Sequence, residues 1–132
     1  MKVSELTYKR IPIEEFSKEI HEVIAQVQGA TSAQEVMQAR DRCNQLAVRW
    51  ETVQALSYMR YSINTADEFY LAEKDYYDEV GPQAQNDMLE YTRAMLETPF
   101  RKELEETGAI IPLVFRSFEV DLKAMSPEII DD

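Results

Sequence analysis

Histidine, cysteine and tryptophan each occur once in this chain of 132 residues, and glycine occurs three times. The single cysteine, Cys43, excludes a disulfide within the chain. Glycines at positions 29, 81 and 108 leave no glycine-rich loop to cradle a phosphate. Basic residues are few, 14 Lys and Arg against 25 Asp and Glu, for a net charge of −11. A nucleic-acid binder needs a basic stripe to neutralise phosphates, and Lys9-Arg10 is no such stripe. The same deficit disfavours anionic membrane surfaces. No apolar run approaches the roughly 20 residues that span a bilayer. The opening MKVSELTYKRIP also lacks the apolar centre of a signal peptide. The expectation is a soluble, cytoplasmic protein that binds neither nucleic acid nor membrane.

What is present points to helices. Apolar residues make up 45% and charged residues 30%, a globular balance. Few breakers among many Ala, Glu, Gln, Leu and Met favour an all-α chain, one helical domain over 1–132. Residues 1–11 are non-periodic and read as an extended arm. From Pro12, the apolar residues Ile13, Phe16, Ile20, Val23, Ile24 and Val27 recur every three or four positions, to a stop at Gly29. Thr31 or Ser32 caps a second helix, with Glu35 in capping-box position. Its stripe runs Val36, Ala39, Cys43, Leu46, Trp50, Val53, Leu56, Met59 and Ile63. Thr65 or Asp67 caps a third, whose stripe is Phe69, Ala72, Tyr76, Val80, Ala84, Met88, Tyr91 and Met95. Gly81-Pro82 falls inside that stripe, which resumes in phase, so a kink is expected there. Thr98-Pro99 opens a short helix that Gly108 ends. Ile111, Val114, Phe115, Phe118 and Leu122 mark a fifth. Ser126-Pro127-Glu128 signals the start of one more, and the chain then stops at Asp132, as a piece cut from a larger protein would. The expected fold is an elongated bundle of about five helices with two long antiparallel helices as its spine.

Chemistry is scarce. HEVIA, His21 to Ala25, resembles the zinc-peptidase motif HExxH, which needs two imidazoles one turn apart with the Glu as base. The second histidine is Ala25 here, and His21 is assigned to the surface. Lys18 stands three residues before His21, so a Glu-x-x-His metal pair is missing as well. The acids of 67–79 lack the spacing of a calcium loop. Cys43 lies on the buried stripe and reads as a core residue. Ser57, Ser62 and the tyrosines have no base to activate them. No catalytic, cofactor-binding or metal-ligating residue is assigned. The stretch TADEFYLAEKDYYDEVGP, 65–82, reads first as one helix with aromatics inward and acids in water. Phe69 is expected to pack between helices. Asp67 and Tyr70, off the main stripe, are the candidates for a peptide-cleft or interface role.

That stretch, with ETPFRKELEE at 97–106, MSPEII at 125–130, VSELTYKRIPIEEF at 3–16 and RWETVQALSYMRYSINTADEFY at 49–70, resembles the N-terminal helical region of the oligoendopeptidase F family. These are cytoplasmic zinc metallopeptidases of the thimet-oligopeptidase-like group. The resemblance covers essentially the whole chain, in order. It implies that the chain is one wall of a deep cleft admitting short unfolded peptides, with the remainder of the peptidase as its partner. Zinc belongs to the intact enzyme, where a zinc-bound water activated by a glutamate cleaves peptide bonds. Neither HExxH nor a third ligand is present here, so the chain alone is expected to be inactive. A fragment of this kind would expose apolar surface and self-associate. The competing expectation is a stand-alone acidic helical module that binds a protein partner.

Overall fold

The computed structural model describes residues 7–125, and most of them lie in five α-helices. α1 spans Ile13–Gln28, α2 Ala33–Ile63, α3 Glu68–Glu97, α4 Arg101–Thr107 and α5 Pro112–Met125. Among the described residues there is no strand, as the all-α reading requires. The arm expected over 1–11 is described only from Thr7, and the helix start at 126–128 lies outside the described residues.

Local chemistry sets the helix ends. Ser32 Oγ accepts the Glu35 N–H at 3.2 Å, opening α2. The Glu35 carboxylate turns back to accept from the Thr31 N–H and hydroxyl, so the capping box closes one residue before the cap. Asp67 Oδ1 accepts from the N–H groups of Phe69 and Tyr70 at 2.9 and 3.2 Å and opens α3. Thr98-Pro99 behaves differently from the sequence expectation. Thr98 precedes a proline and takes an extended ψ of 137°, which ends α3. Its hydroxyl accepts from the Phe100 N–H, and α4 begins only at Arg101. Gly108 then closes α4 at φ 78°, a left-handed position that suits glycine. At Gly81-Pro82, α3 is continuous, without a break.

Contacts between the helices fix their directions. Arg60 meets Tyr70, Trp50 meets Tyr77 and Cys43 meets Tyr91, moving outward from the short connection, so α2 and α3 are the expected long antiparallel pair. Glu15 pairs with Arg49 and Glu22 with Arg42, so α1 is antiparallel to α2. Ile13 meets Tyr76 and His21 meets Glu90, so α1 runs parallel to α3. α5 returns along α3, where Gln85 meets Met125. The core gathers Phe16, Ile20, Val23, Val36, Cys43, Trp50, Tyr77, Tyr91, Met95 and Phe115. Trp50 is its hub, 4.6 Å from the Phe16 ring centroid and edge-on to Tyr77 at 5.3 Å.

Two stretches depart from the expected stripe. In the first turns of α3 the buried residues are Glu73 and Tyr77, and Phe69 is 56% exposed rather than packed between helices. Glu73, grouped with the solvated acids, is 5% exposed, because the arm before α1 lies over it. At the end of α2, Met59 and Ile63 are exposed because the helix outruns the start of its neighbour α1.

Candidate functional site

The arm is fastened to α3 by a cluster built around Glu73. The Arg10 guanidinium straddles the carboxylate, Nε 2.9 Å from Oε1 and a second nitrogen on Oε2. Tyr8 donates to Oε1 at 2.6 Å, and its hydroxyl lies 3.0 Å from that of Tyr77. The Ile13 N–H, unpaired at the start of α1, donates to the Tyr76 hydroxyl at 2.7 Å. Arg10 also lies 4.0 Å above the Tyr76 ring. The Arg10 hydrogen bonds hold Glu73 below its ordinary carboxylate range against the opposing effect of burial. Burial, aided by Glu73, pushes the Tyr8 hydroxyl far above its ordinary value. Every member is paired, and the cluster works as a structural clasp.

Beside the clasp, at the α2–α3 connection, lie both residues singled out from the sequence. Asp67 is spent on capping α3. Tyr70 is half-buried, its hydroxyl accepting from Arg60 at 2.7 Å and its ring edge-on to Tyr8 and Phe69. Together Tyr8, Phe69 and Tyr70 make an aromatic corner; Ile63, the last residue of α2, is 83% exposed. Nearer the middle of the bundle, a cavity of about 480 Å³ opens between α1, α2 and α3. Phe16, Trp50 and Tyr77 floor it, and Glu51, Tyr58 and Asp78 rim it. Tyr58 donates to Asp78 across that rim. Cys43 is buried as expected, and burial raises its thiol to about 11, which leaves it unreactive.

The HEVIA segment cannot hold a catalytic zinc ion. Glu22 points away from His21 and pairs with Arg42 of α2 at 2.6 Å. His21 faces α3 instead, and the chain has no second histidine. The imidazole is exposed, as the sequence suggested, but it is not idle. It meets Asp87 and Glu90, a grouping that sequence spacing could not reveal, because the acids lie on another helix. Hydrogen bonding to the Ser17 carbonyl raises the His21 pKa, and burial raises that of Asp87.

Comparison with known proteins gives this geometry a family. A sequence profile described as the peptidase M3 N-terminal domain matches residues 3–125. No curated protein sequence matches the chain. Among solved structures, PZ peptidase A with inhibitor 2 is 35% identical over 98% of this chain, with a TM-score of 0.87. A protein provisionally described as oligoendopeptidase F is 34% identical over 99%, also with a TM-score of 0.87. A provisional oligoendopeptidase F from Bacillus anthracis str. Ames is 31% identical over 97%, with a TM-score of 0.85. This chain spans 23% of the length of each of the three. The likeness in fold and sequence extends over nearly the whole chain, and the chain belongs to the peptidase M3 N-terminal domain family.

Proposed function

We propose that this chain is the N-terminal helical wall of a zinc-dependent oligoendopeptidase acting on short peptides in the cytoplasm. The observation that carries the reading is the near-complete likeness to peptidases of which the chain matches only 23%. The zinc ligands and general base of that activity would lie in the remaining portion, because HEVIA lacks the second histidine of HExxH and its Glu22 is paired with Arg42. Alone, the chain is a scaffold without turnover. The half-buried Tyr70, the exposed Phe69 and Ile63, and the cap Asp67 form the corner best suited to meet the remainder or the peptide cleft.

Two experiments test this. Sequencing the coding region past Asp132 should find HExxH downstream in the same frame, and an immediate stop codon would overturn the fragment reading. The purified chain, supplied with zinc, should leave a quenched fluorescent peptide uncut. Chelator-sensitive cleavage by that chain would overturn the claim that it is inactive alone.

A further inference from the structure

Midway along the parallel pair, α1 presents His21 to Asp87 and Glu90, which stand one turn apart on α3. The imidazole is oriented by its own helix: Nδ1 lies 2.8 Å from the Ser17 carbonyl oxygen. A carbonyl only accepts, so Nδ1 carries a proton; Nε2 is turned towards the acids and shares a proton with the Glu90 carboxylate, which a bound cation would displace. Nε2 lies 2.9 Å from Glu90 Oε2 and 3.8 Å from Asp87 Oδ1. Asp87 is 3% exposed; the Ser17 side chain lies beside its carboxylate, and its Oδ2 atom has no hydrogen-bond partner among the described residues. Buried carboxylate oxygens are ordinarily satisfied, and this one belongs to a side chain aimed at an imidazole and a second carboxylate. One ligand atom from each of the three residues falls within 4.8 Å of the other two.

We propose that His21, Asp87 and Glu90 bind one divalent transition-metal cation of the zinc class, clamping α1 to α3. The donor set selects that class, because imidazole nitrogen suits zinc and its neighbours, whereas calcium and magnesium take oxygen alone. Zinc bonds of about 2.0–2.2 Å place tetrahedral ligand atoms roughly 3.5 Å apart. The 2.9 and 3.8 Å separations bracket that spacing. The half-exposed Glu90 side chain is free to adjust, while His21, held by the Ser17 carbonyl, and buried Asp87 supply the fixed points. The Nδ1–H bond to a main-chain carbonyl is the usual way a metal-binding histidine is held in its tautomer. Three protein ligands leave a fourth position for water. The site depends on these three residues alone and stands whether or not the peptidase reading does.

The test uses the whole tag-free chain, stripped with chelator and titrated with zinc by calorimetry near neutral pH. His21 is the chain's only histidine, so nitrogen-detected NMR of its ring reads the site without ambiguity. The expected result is one equivalent of zinc bound, with the large shift at Nε2 and Nδ1 still protonated. Glu90→Gln should weaken binding at least about tenfold, and His21→Gln should abolish it. Both positions are half exposed, so these variants keep the fold and the test does not depend on Asp87→Asn. No uptake from excess zinc would overturn the proposal, as would uptake that His21→Gln leaves unchanged or a shift at Nδ1 instead.

Discussion

Glu73, in the second turn of α3, is only 5% exposed, and its charge is tolerable only while Arg10 faces it. Replacing the guanidinium with a similar apolar shape, Arg10→Met, strands a buried charge. Fully buried pairs broken this way lose 3–5 kcal/mol and exposed ones little, and Arg10 is partly exposed, so about 2 kcal/mol is expected. Urea unfolding followed by Trp50 fluorescence measures it. The pair also sets a pH dependence. Glu73 is held below its unfolded value, so its contribution is complete above about pH 4.3 and lost as pH falls through the folded value. Arg10→Met should flatten that acid limb, and an unchanged limb would show that other carboxylates govern it. None of this was legible in the sequence. Glu73 looks like one more acid in an acidic run, and its partner stands 63 positions earlier in a non-periodic arm. Phe69 was misread for the same reason, because the side of α3 that the arm covers cannot be inferred from spacing within α3.

Helices, by contrast, were largely written in local chemistry. Ser32, Asp67, Gly29 and Gly108 mark ends that need only a cap or a stop, and the observed ends fall beside them. Pro99 shows the limit: it forbids helix in the residue before it, but it does not start α4 itself. The glycines separate two physical situations that the sequence shows as one letter. Gly81 lies inside α3 with nothing within 4 Å of an added Cβ, so Gly81→Ala should stabilise by roughly 0.5–1 kcal/mol. Gly108 has equal space but a φ of 78°, where an L residue is strained, so Gly108→Ala should destabilise by about 1 kcal/mol. Opposite shifts in urea midpoint are the expected outcome. Shifts of the same sign would mean that α3 is not helical at Gly81 or that Gly108 can leave its left-handed turn.

At the scale of the molecule, two forces oppose one another on the surface. Ile63, Phe69 and Met59, gathered around the α2–α3 connection, are 83%, 56% and 45% exposed. Val120, Leu113 and Met125 of α5 add a second apolar group. Such surface favours association, and in the proposed enzyme the remaining portion of the chain would cover it. Against it stands a net charge of −11, which makes every copy repel every other. Repulsion reaches about 30 Å at 0.01 M salt and about 3 Å at 1 M, whereas apolar contact is not weakened by screening. The isolated chain should therefore be monomeric in dilute buffer and associate as salt is raised. Light scattering across a salt series reads this directly. Ile63→Ser combined with Phe69→Ser should hold the chain monomeric in high salt, since neither side chain belongs to the core. A wild-type chain that stays monomeric at high concentration and high salt would show that the exposed residues are too scattered to act as one surface. Association that persists in the double variant would move the interface to α5.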